Sequence, residues 1–561
     1  MRTFTLAIAL VAFQFYGIAQ QDSVVKMKVI DIVEIVPAEN YTTQKFDSLE
    51  LITFQYQSLD EFLASRSDVF IKDYGPGSLS TISFRGMGSS HTNVFWNGVS
   101  LNSNMNGTTD ISLFSLNAID QIDVHYGASS MIDGAGSLGG SIKLKQKEFF
   151  NNGQRLSVSQ SVGSYSTYQT AFSGLVSNKK TYLKIAGNFL NSENNFQYRN
   201  PELEESPTET MKGAGFSVHN LSATGGWLVN KSNTLKINYL NQYGNRNLPK
   251  LNTQETAEES QKDLSHIGFV DWRNYNKWFV NEMKLGFKYA ELDYRNKNIN
   301  IESISRERTI FLQNRSKYIL FNKIKGNTAI FYDHIEAYNE KYGESKRLNQ
   351  LKVTNDFRVE LSNKTSAGLV VQTIVSDINT LPFLPSINLG HKFFENLLQV
   401  SVNASYHGAL PTMNDLYWGE GGNPNLKPES GYSSELNVKG KRILKAGLIE
   451  YRVSGYYSEI DNWILWSPDE TGIWRVNNES HVTSFGTEFS LVAKKSLGYF
   501  NSGISLGYNF NNSLNESNKQ LVYTPVHKTQ GVLSCGYKGL QFNYNTQWVG
   551  KRFINSNNTS W

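Results

Sequence analysis

The sequence has a single cysteine, no long apolar segment after its first residues and almost no net charge. Because Cys535 is alone, a disulfide framework or a cysteine metal cluster within one chain is excluded. After Phe15 there is no run of about 18 apolar residues, which excludes a transmembrane helix in the mature protein. The 54 Lys and Arg residues nearly balance the 50 Asp and Glu residues, so no basic face for nucleic acid is indicated.

What the sequence has instead is a long series of segments that alternate between apolar and polar residues with a period of two. The clearest segment places Leu540, Phe542, Tyr544 and Trp548 on one face and only polar residues on the other. A closed barrel satisfies its backbone hydrogen bonds within lipid and shows such an alternation. A soluble β-sandwich gives a similar pattern, but many of these segments exceed the typical length of about five or six residues.

The N-terminus predicts export from the cytoplasm. Residues 1–19 have a basic start at Arg2, a short apolar stretch and small residues at Gly17-Ile18-Ala19, which indicates a secretory signal peptide. Within the following segment, 20–57, the β-prone run 29–36 is closed by Pro37. An isolated strand near a terminus is suited to pairing with a partner's sheet edge, and the alternative is an ordinary first strand of the next domain.

Residues 58–147 predict a compact, glycine-rich α/β unit. A capping box formed by Ser58 and Glu61 begins a short helix to about Ser65. Strands are expected at 81–84, 94–96, 122–124 and 142–144, with loops at 73–77 and 102–110 where Gly, Pro and polar residues break the pattern. A unit of this size followed by an all-β region predicts a plug inside a barrel.

The predicted fold class is a transmembrane antiparallel β-barrel, 148–561, with an N-terminal α/β plug domain, 58–147, in its lumen. We count about nineteen strand candidates between Gln154 and Asn555. Barrels with a plugged lumen have about 22 strands, and bacterial barrels usually have an even number. We therefore expect about three further strands after Trp561, which would mean that the sequence is truncated at its C-terminus.

Several glycine-rich pieces then occur in a fixed order. They are Thr81–Gly86, Val94–Val99, Tyr126–Ser130 and Gly134–Ile142, followed in the barrel by Leu410–Tyr417 and Asn423–Glu429. Together they resemble the plug and barrel of TonB-dependent outer-membrane receptors, and among these the cobalamin receptor branch. The resemblance implies active uptake of a scarce small ligand across the bacterial outer membrane.

The resemblance also implies partners and a plug–barrel ion pair. The box that TonB captures, driven by ExbB–ExbD, is expected at Val29, Ile30, Asp31, Ile32, Val33, Glu34, Ile35 and Val36. Arg85 matches the family's plug arginine, with Glu429 and Glu435 as its barrel partners. The sequence departs from the family at Tyr126, where many relatives have a second arginine.

Relatives bind their ligand with outward plug loops, which here are 73–78 and 101–110. The candidate ligand-binding residues are Tyr74, Gly75, Asn102, Asn104, Met105 and Asn106. Amides can hydrogen-bond the amide side chains of a corrinoid, while an aromatic ring and a Met pack on its apolar surface, so cobalamin is the expected ligand. A ferric siderophore or another metal chelate is the alternative, although many of these are anionic and the two loops have only Lys72 at their edge.

Other classes fit the sequence less well. Haem receptors usually have a histidine between the two barrel motifs, and none occurs from Pro411 to Asn423; His91 and His407 lie elsewhere. An enzyme is not expected because no nucleophile elbow or zinc motif is present, and an open porin is not expected because a plug would block it. We expect no cofactor, no structural metal and no nucleic acid, and leave open a surface lipoprotein as a partner.

Overall fold

The computed structural model describes residues 40–134, 138–249, 258–321, 323–394, 397–470 and 472–561. The predicted signal peptide and the predicted TonB box at 29–36 lie outside the described residues. No helix among the described residues is both long enough and apolar enough to cross a membrane.

The N-terminal part of the structure is a small α/β unit built on a five-stranded sheet. The sheet has the order β1-β6-β7-β4-β5, with β4 and β7 parallel and the other pairs antiparallel, and β2 and β3 form a separate hairpin. The elements are β1 (Thr43–Phe46), α1 (Ser48–Thr53), α2 (Leu59–Arg66), β2 (Phe70–Asp73), β3 (Ser80–Ser83), β4 (Thr92–Trp96), β5 (Val99–Ser100), β6 (Gln121–Tyr126) and β7 (Gly140–Lys145). Short 3-10 turns span Ser89–His91, Ile111–Leu113, Leu116–Ala118 and Gly127–Asp133.

Local sequence explains the start of each plug helix. The predicted capping box is present at α2, where the Ser58 and Glu61 side chains each bond the other's backbone N–H group. At α1, the Asp47 carboxylate accepts from the N–H groups of Leu49 and Glu50. Although α1 and β1 lie in the predicted N-terminal segment 20–57, they pack with the plug: β1 pairs with β6, and Leu51 is in the plug core.

Every described strand after residue 153 except a small hairpin belongs to one closed barrel. Within the described residues the barrel has nineteen strands, and the ring closes with β28 next to β8. The strands, including the hairpin β11–β12 in a loop, are β8 (Gln154–Gly163), β9 (Thr167–Ser177), β10 (Thr181–Ser192), β11 (Gln197–Arg199), β12 (Thr208–Thr210), β13 (Phe216–Asn230), β14 (Asn233–Leu248), β15 (Glu259–Tyr275), β16 (Phe279–Asn296), β17 (Ile301–Leu320), β18 (Ile324–Tyr338), β19 (Lys346–Glu360), β20 (Thr365–Ser376), β21 (Thr380–Phe393), β22 (Leu398–Ala409), β23 (Glu429–Leu444), β24 (Gly447–Pro468), β25 (Trp474–Leu497), β26 (Phe500–Asn515), β27 (His527–Tyr537) and β28 (Leu540–Val549). The expectation of further strands after Trp561 stays a prediction.

The barrel has its apolar side chains outside and its polar side chains inside. Leu156 and Leu540 are 80% and 78% exposed on the outer surface, while the inward residues Lys236, Asn238 and Asn509 are buried. A soluble sandwich would bury the apolar face, so this polarity decides between the two folds that the alternation allowed. The exposed apolar band faces lipid and the buried polar lining faces the plug.

The two ends of the barrel differ in loop length. At one end the strands are joined by turns of two to four residues, such as 231–232 and 361–364. At the other end the connections include 193–215, 410–428 and 516–526. Outer-membrane barrels have short periplasmic turns and longer extracellular loops, so we call the long-loop end the outer end and the short-turn end the inner end.

Candidate functional site

The two predicted ligand loops of the plug have different surroundings. In the first loop, the Tyr74 side chain is 56% exposed, and Gly75 has a φ of +111° with open space on its side-chain face. The Asp73 carboxylate accepts from the Gly75 N–H group at 2.8 Å, which stabilises this turn. Tyr74 and Gly75 are therefore accessible from outside.

In the second loop, Asn102 serves the loop's own structure. Its side chain is 8% exposed, and its amide donates to the carbonyl groups of Thr92 and Gly107, both at 2.7 Å. Its Oδ1 atom accepts from the N–H group of Val94 at 2.9 Å. Because its donors and acceptor are already used, this amide is not offered to a ligand.

Asn104 and Met105 fix the same loop to the barrel. The Asn104 side chain donates to Glu307 of β17 at 2.7 Å, and its backbone N–H donates to the other oxygen of that carboxylate at 2.8 Å. Met105 is 4% exposed and packs in an apolar cluster with Ile335, Tyr342 and other barrel residues. Of the predicted residues in this loop, only Asn106 is exposed.

The loop also caps a short barrel helix, α3 (Met413–Tyr417). The carbonyl groups of Asn104 and Met105 accept from the N–H groups of Met413 and Asn414, at 3.1 and 2.8 Å. The first N–H groups of a helix have no acceptor within the helix, so the plug loop supplies two of the acceptors that α3 lacks. Any movement of this plug loop therefore acts directly on α3.

Between the plug and the loops of the outer end lies a cavity of about 590 Å³, which we call the outer cavity. The plug contributes Ser89, Ser90, His91, Asn106 and Thr108, and the barrel contributes Thr412, Asn414, Asp415, Trp418, Glu429, Trp466 and Trp474, among others. Among the described residues, no Lys or Arg lines it. The lining combines indole rings, carboxylates, hydroxyl groups and amides.

Asp415 organises the barrel side of the outer cavity. Its carboxylate accepts from the Thr412 N–H and hydroxyl groups at 2.8 and 2.7 Å and from the Trp466 indole N–H at 2.8 Å. Burial raises the pKa of Asp415 above its ordinary value, and the nearby charge of Glu429 acts in the same direction. These contacts fix α3 and the Trp466 ring together.

A buried histidine joins the plug to the barrel at the floor of the outer cavity. His91 Nδ1 accepts from the Gly88 N–H group at 3.1 Å, so Nε2 carries the proton and donates to Glu429 at 2.7 Å. The second oxygen of Glu429 accepts from the Ile464 N–H group at 2.7 Å, and the His91 ring contacts Trp463 with 4.4 Å between ring centroids. The sequence interpretation paired Glu429 with Arg85, but in the structure Glu429 contacts His91 instead.

The same plug segment contains Arg85, which lies against three barrel residues. Its guanidinium group donates to Glu435 at 2.8 Å and to both oxygens of Glu488 at 2.9 and 3.0 Å, and stacks over the Tyr456 ring at 4.4 Å. Burial alone would lower the pKa of Arg85, but the two carboxylates outweigh it and raise the pKa well above its ordinary value. The structure thus places Arg85 with Glu435, as predicted, and with Glu488, which the sequence motifs did not indicate.

At Tyr126, where the resemblance places a second plug arginine in many relatives, the cation comes from the barrel instead. The barrel residue Arg452 stacks over the Tyr126 ring at 5.3 Å and forms an ion pair with the plug carboxylate of Asp68. Gln530 donates to the same carboxylate at 2.5 Å. Beside Tyr126 the barrel therefore supplies the cation and the plug supplies the anion.

The stray histidines do not form a metal site. Among the described residues there is no group of three or more His, Cys, Asp and Glu side chains arranged to hold a metal ion. His91 is engaged with Glu429 and His407 is buried in the barrel wall.

Comparison with known proteins agrees with this architecture. Residues 39–141 match the family model described as the TonB-dependent receptor plug domain, and residues 145–561 match the TonB-dependent receptor-like β-barrel. The chain belongs to the TonB-dependent receptor family. It is therefore a receptor of the bacterial outer membrane that works with TonB in ligand uptake, and it is not an enzyme.

Curated relatives include vitamin B12 transporters. The chain is 26% identical to BtuB of Photobacterium profundum over 477 residues, which is 81% of this chain and 73% of the relative. It is 25% identical to BtuB of Vibrio vulnificus over 456 residues, 74% of this chain and 67% of the relative. Among solved structures, the siderophore receptor PirA from Acinetobacter baumannii superposes with a TM-score of 0.75 at 13% identity, covering 92% of this chain and 87% of that chain. At this identity the likeness shows the fold alone.

Proposed function

We propose that this receptor takes up a corrinoid, with cobalamin as the ligand, through the outer cavity. The observation that carries the proposal is the chemistry of that cavity, which has three indole rings and two carboxylates but no Lys or Arg among its described lining residues. Negative charge without a compensating cation opposes an anionic ferric chelate. A corrinoid has a broad apolar macrocycle and neutral amide side chains, which suit indole faces and Asn or Thr side chains.

The sequence relatives support the same ligand class. Both of the BtuB proteins described above are vitamin B12 transporters and match most of this chain. A ferric siderophore is the competing ligand. The support for a siderophore is the fold that this chain shares with PirA. Against it, the described lining residues of the outer cavity include no cation that could bind an anionic chelate.

Coupling to TonB is proposed to run through the plug segment 85–91 and the loop 101–110. A ligand in the outer cavity touches His91 and Asn106, and these lie in the two segments that bind Glu435, Glu488 and the first turn of α3. Ligand binding changes the plug only if it favours one plug arrangement over another. The predicted TonB box at 29–36 would then be captured from the periplasm as an added strand.

The deciding experiment measures ligand binding by the full chain purified in detergent. We expect cyanocobalamin to bind with a Kd below about 1 µM, while the members of a ferric siderophore panel bind at least about a hundredfold more weakly. The Asn106→Ala variant should weaken cobalamin binding, whereas Asn363→Ala, in an exposed turn of the inner end, should not. Capture of an iron chelate without cobalamin binding would reject the proposed ligand and leave the family assignment intact.

A second experiment tests the TonB box. Deletion of residues 29–36 should reduce cobalamin uptake by cells to background while binding by the purified protein stays unchanged. Retained uptake would show that the box lies elsewhere in the protein.

A further inference from the structure

A second cavity, of about 310 Å³, lies between the plug and the barrel wall toward the inner end, and we call it the inner cavity. It is lined by β6 and β7 of the plug and by strands β14 to β19 of the barrel. Its strand residues, such as Lys236, Lys284 and Lys317, lie near the short turns 231–232, 276–278 and 321–323. It is therefore remote from the outer cavity and lies on the periplasmic side of the plug–barrel interface.

The lining of the inner cavity is strongly basic. It contains eight Lys and Arg side chains against four carboxylates. The plug histidine in the lining, His125, adds no charge at neutral pH, because burial and then the charge of Lys143 lower its pKa to about 4. An excess of cations around a cavity attracts an anion.

Most of these cations already have carboxylate partners. Lys143 pairs with Asp133, Lys145 with Asp123, and Lys284 with Glu282. Lys236 and Arg273 share Asp271 and Glu148, and Arg358 pairs with Asp356. Among the described residues of the lining, only Arg315 and Lys317 form no direct ion pair with a carboxylate, although Asp133 and Glu282 attract them from a longer distance.

Arg315 and Lys317 face the lumen together. Along β17 the odd-numbered residues Glu307, Thr309 and Phe311 are buried, and the even-numbered residues between them are exposed, so Arg315 and Lys317 continue the inward row. Two residues along a strand span about 7 Å, a distance at which two long side chains reach one small anion. The Arg315 guanidinium lies 5.9 Å from the Phe331 ring centroid, which restricts its orientation.

The site also touches the plug. A side chain added at Gly134, whose φ is +77°, would collide with the Phe331 ring, so Gly134 of the plug packs directly on this part of the wall. The carboxylate next to it, Asp133, accepts from Ser141 at 3.1 Å and pairs with Lys143. Asp133 therefore has its direct ion pair within the plug, and it acts on Arg315 only from a longer distance.

We propose that the inner cavity is an oxyanion-binding site in which Arg315 and Lys317 hold a phosphate or carboxylate group. Arg binds such groups through paired N–H donors and Lys through a point charge. The oxyanion comes either from the transported ligand during its passage or from free anions of the periplasm. The proposal does not depend on which ligand the outer cavity takes.

The test measures binding of inorganic phosphate to the full chain in detergent by the broadening of the phosphate ³¹P resonance. We expect saturable broadening that falls at least fivefold in the Arg315→Gln/Lys317→Gln double variant and persists in Arg315→Lys. Arg306→Gln is the matched control, because Arg306 lies on the same strand but faces outward and pairs with Glu291 at 2.9 Å. The proposal would be overturned if the unaltered protein showed no saturable binding. It would also be overturned if the double variant, shown to be folded by the heat-dependent shift of its band on a gel, bound phosphate equally well.

Uptake assays distinguish the two sources of the oxyanion. If the double variant loses phosphate binding and also takes up ligand several-fold more slowly at unchanged ligand affinity, the transported ligand supplies the group. If phosphate binding is lost and uptake is unchanged, the occupant is a periplasmic anion. Each result supports the site and assigns its source.

Discussion

The outer cavity has indole rings and carboxylates with no cation in its described lining, whereas the inner cavity has twice as many cations as carboxylates. The two cavities lie at opposite ends of the same plug–barrel interface, so a ligand moving inward passes from an acidic, aromatic surface to a basic one. On the two proposals made above, selection at the outer end and passage toward the periplasm depend on different chemical groups. Changes confined to one cavity should affect one step and leave the other intact.

The largest effect is expected where the plug is fixed between the two cavities. Arg85→Gln would leave Glu435 and Glu488 buried without a cation, and breaking a buried pair in this way costs about 3–5 kcal/mol. We expect the plug to loosen, both cavities to be lost, and cells to become permeable to large hydrophilic antibiotics. Urea unfolding and antibiotic sensitivity measure this, with Arg295→Gln in an exposed pair as the control. Unchanged unfolding would show that the Arg85 contacts do not fix the plug.

The next largest effect is expected on cobalamin binding, when an aromatic side chain is removed from the outer cavity but not when one is removed from the inner end. Trp474 lines the outer cavity and is 60% exposed, so Trp474→Ala removes ligand contact area without opening the protein core. Loss of about 1.4–2.8 kcal/mol of apolar contact corresponds to tenfold to hundredfold weaker cobalamin binding. Trp278→Ala, in a short turn of the inner end, should leave the Kd unchanged. Equal effects of the two substitutions would contradict a ligand site in the outer cavity.

A smaller effect is expected from adding a positive charge to the outer cavity, whose described lining contains no Lys or Arg. Asn106→Lys places a cation beside the ligand and should improve the binding of an anionic ferric chelate about fivefold, for a gain of about 1 kcal/mol at a partly exposed site. Asn106→Gln is the control that lengthens the side chain without charge. A gain that appears equally in Asn106→Gln would reject the electrostatic explanation.

The smallest expected effect is a pH dependence of α3. Since burial raises the pKa of Asp415 above its ordinary value of 3.8, the folded loop favours the protonated carboxyl group more than the unfolded loop does. The resulting stabilisation is complete below 3.8 and is lost as the pH rises through the folded pKa. Hydrogen-exchange protection of the Leu416 amide, corrected for intrinsic rates, should decline as the pH rises from 3.8 through the folded pKa of Asp415. The Asp415→Asn variant should show no such pH dependence. A decline that persists in Asp415→Asn would assign it to another group.

Features that depend on neighbouring residues were predictable from the sequence. The capping box at Ser58 and Glu61 acts over three residues, and the alternation ending in Trp548 depends only on the period of an extended strand. For this reason the plug-in-barrel fold class was correct, and the count of about nineteen strand candidates agrees with the nineteen barrel strands among the described residues. The family motif likewise indicated that Arg85 meets Glu435.

The contacts of the predicted ligand loops could not be predicted from the sequence. Asn102, Asn104 and Met105 have the residue types of a binding loop. In the structure, however, Asn102 stabilises the loop itself, Asn104 binds Glu307, and Met105 packs in the same apolar cluster as Tyr342. The partners of Asn104 and Met105 lie about two hundred residues away or more, on strands whose position in the ring is set by barrel closure. Glu488 and Arg452 were missed for the same reason, since no local pattern marks which inward polar residue meets the plug.

The sequence by itself determined that the protein is exported, forms a barrel with a plug and belongs to a receptor family, because periodicity, turn residues and motif order are properties of short segments. Only the tertiary structure decided which polar residues became buried contacts and which remained in the two cavities. A side chain is available to a ligand only if its hydrogen-bonding and charge requirements are not already met by another part of the protein. That condition depends on how the nineteen described barrel strands close around the plug.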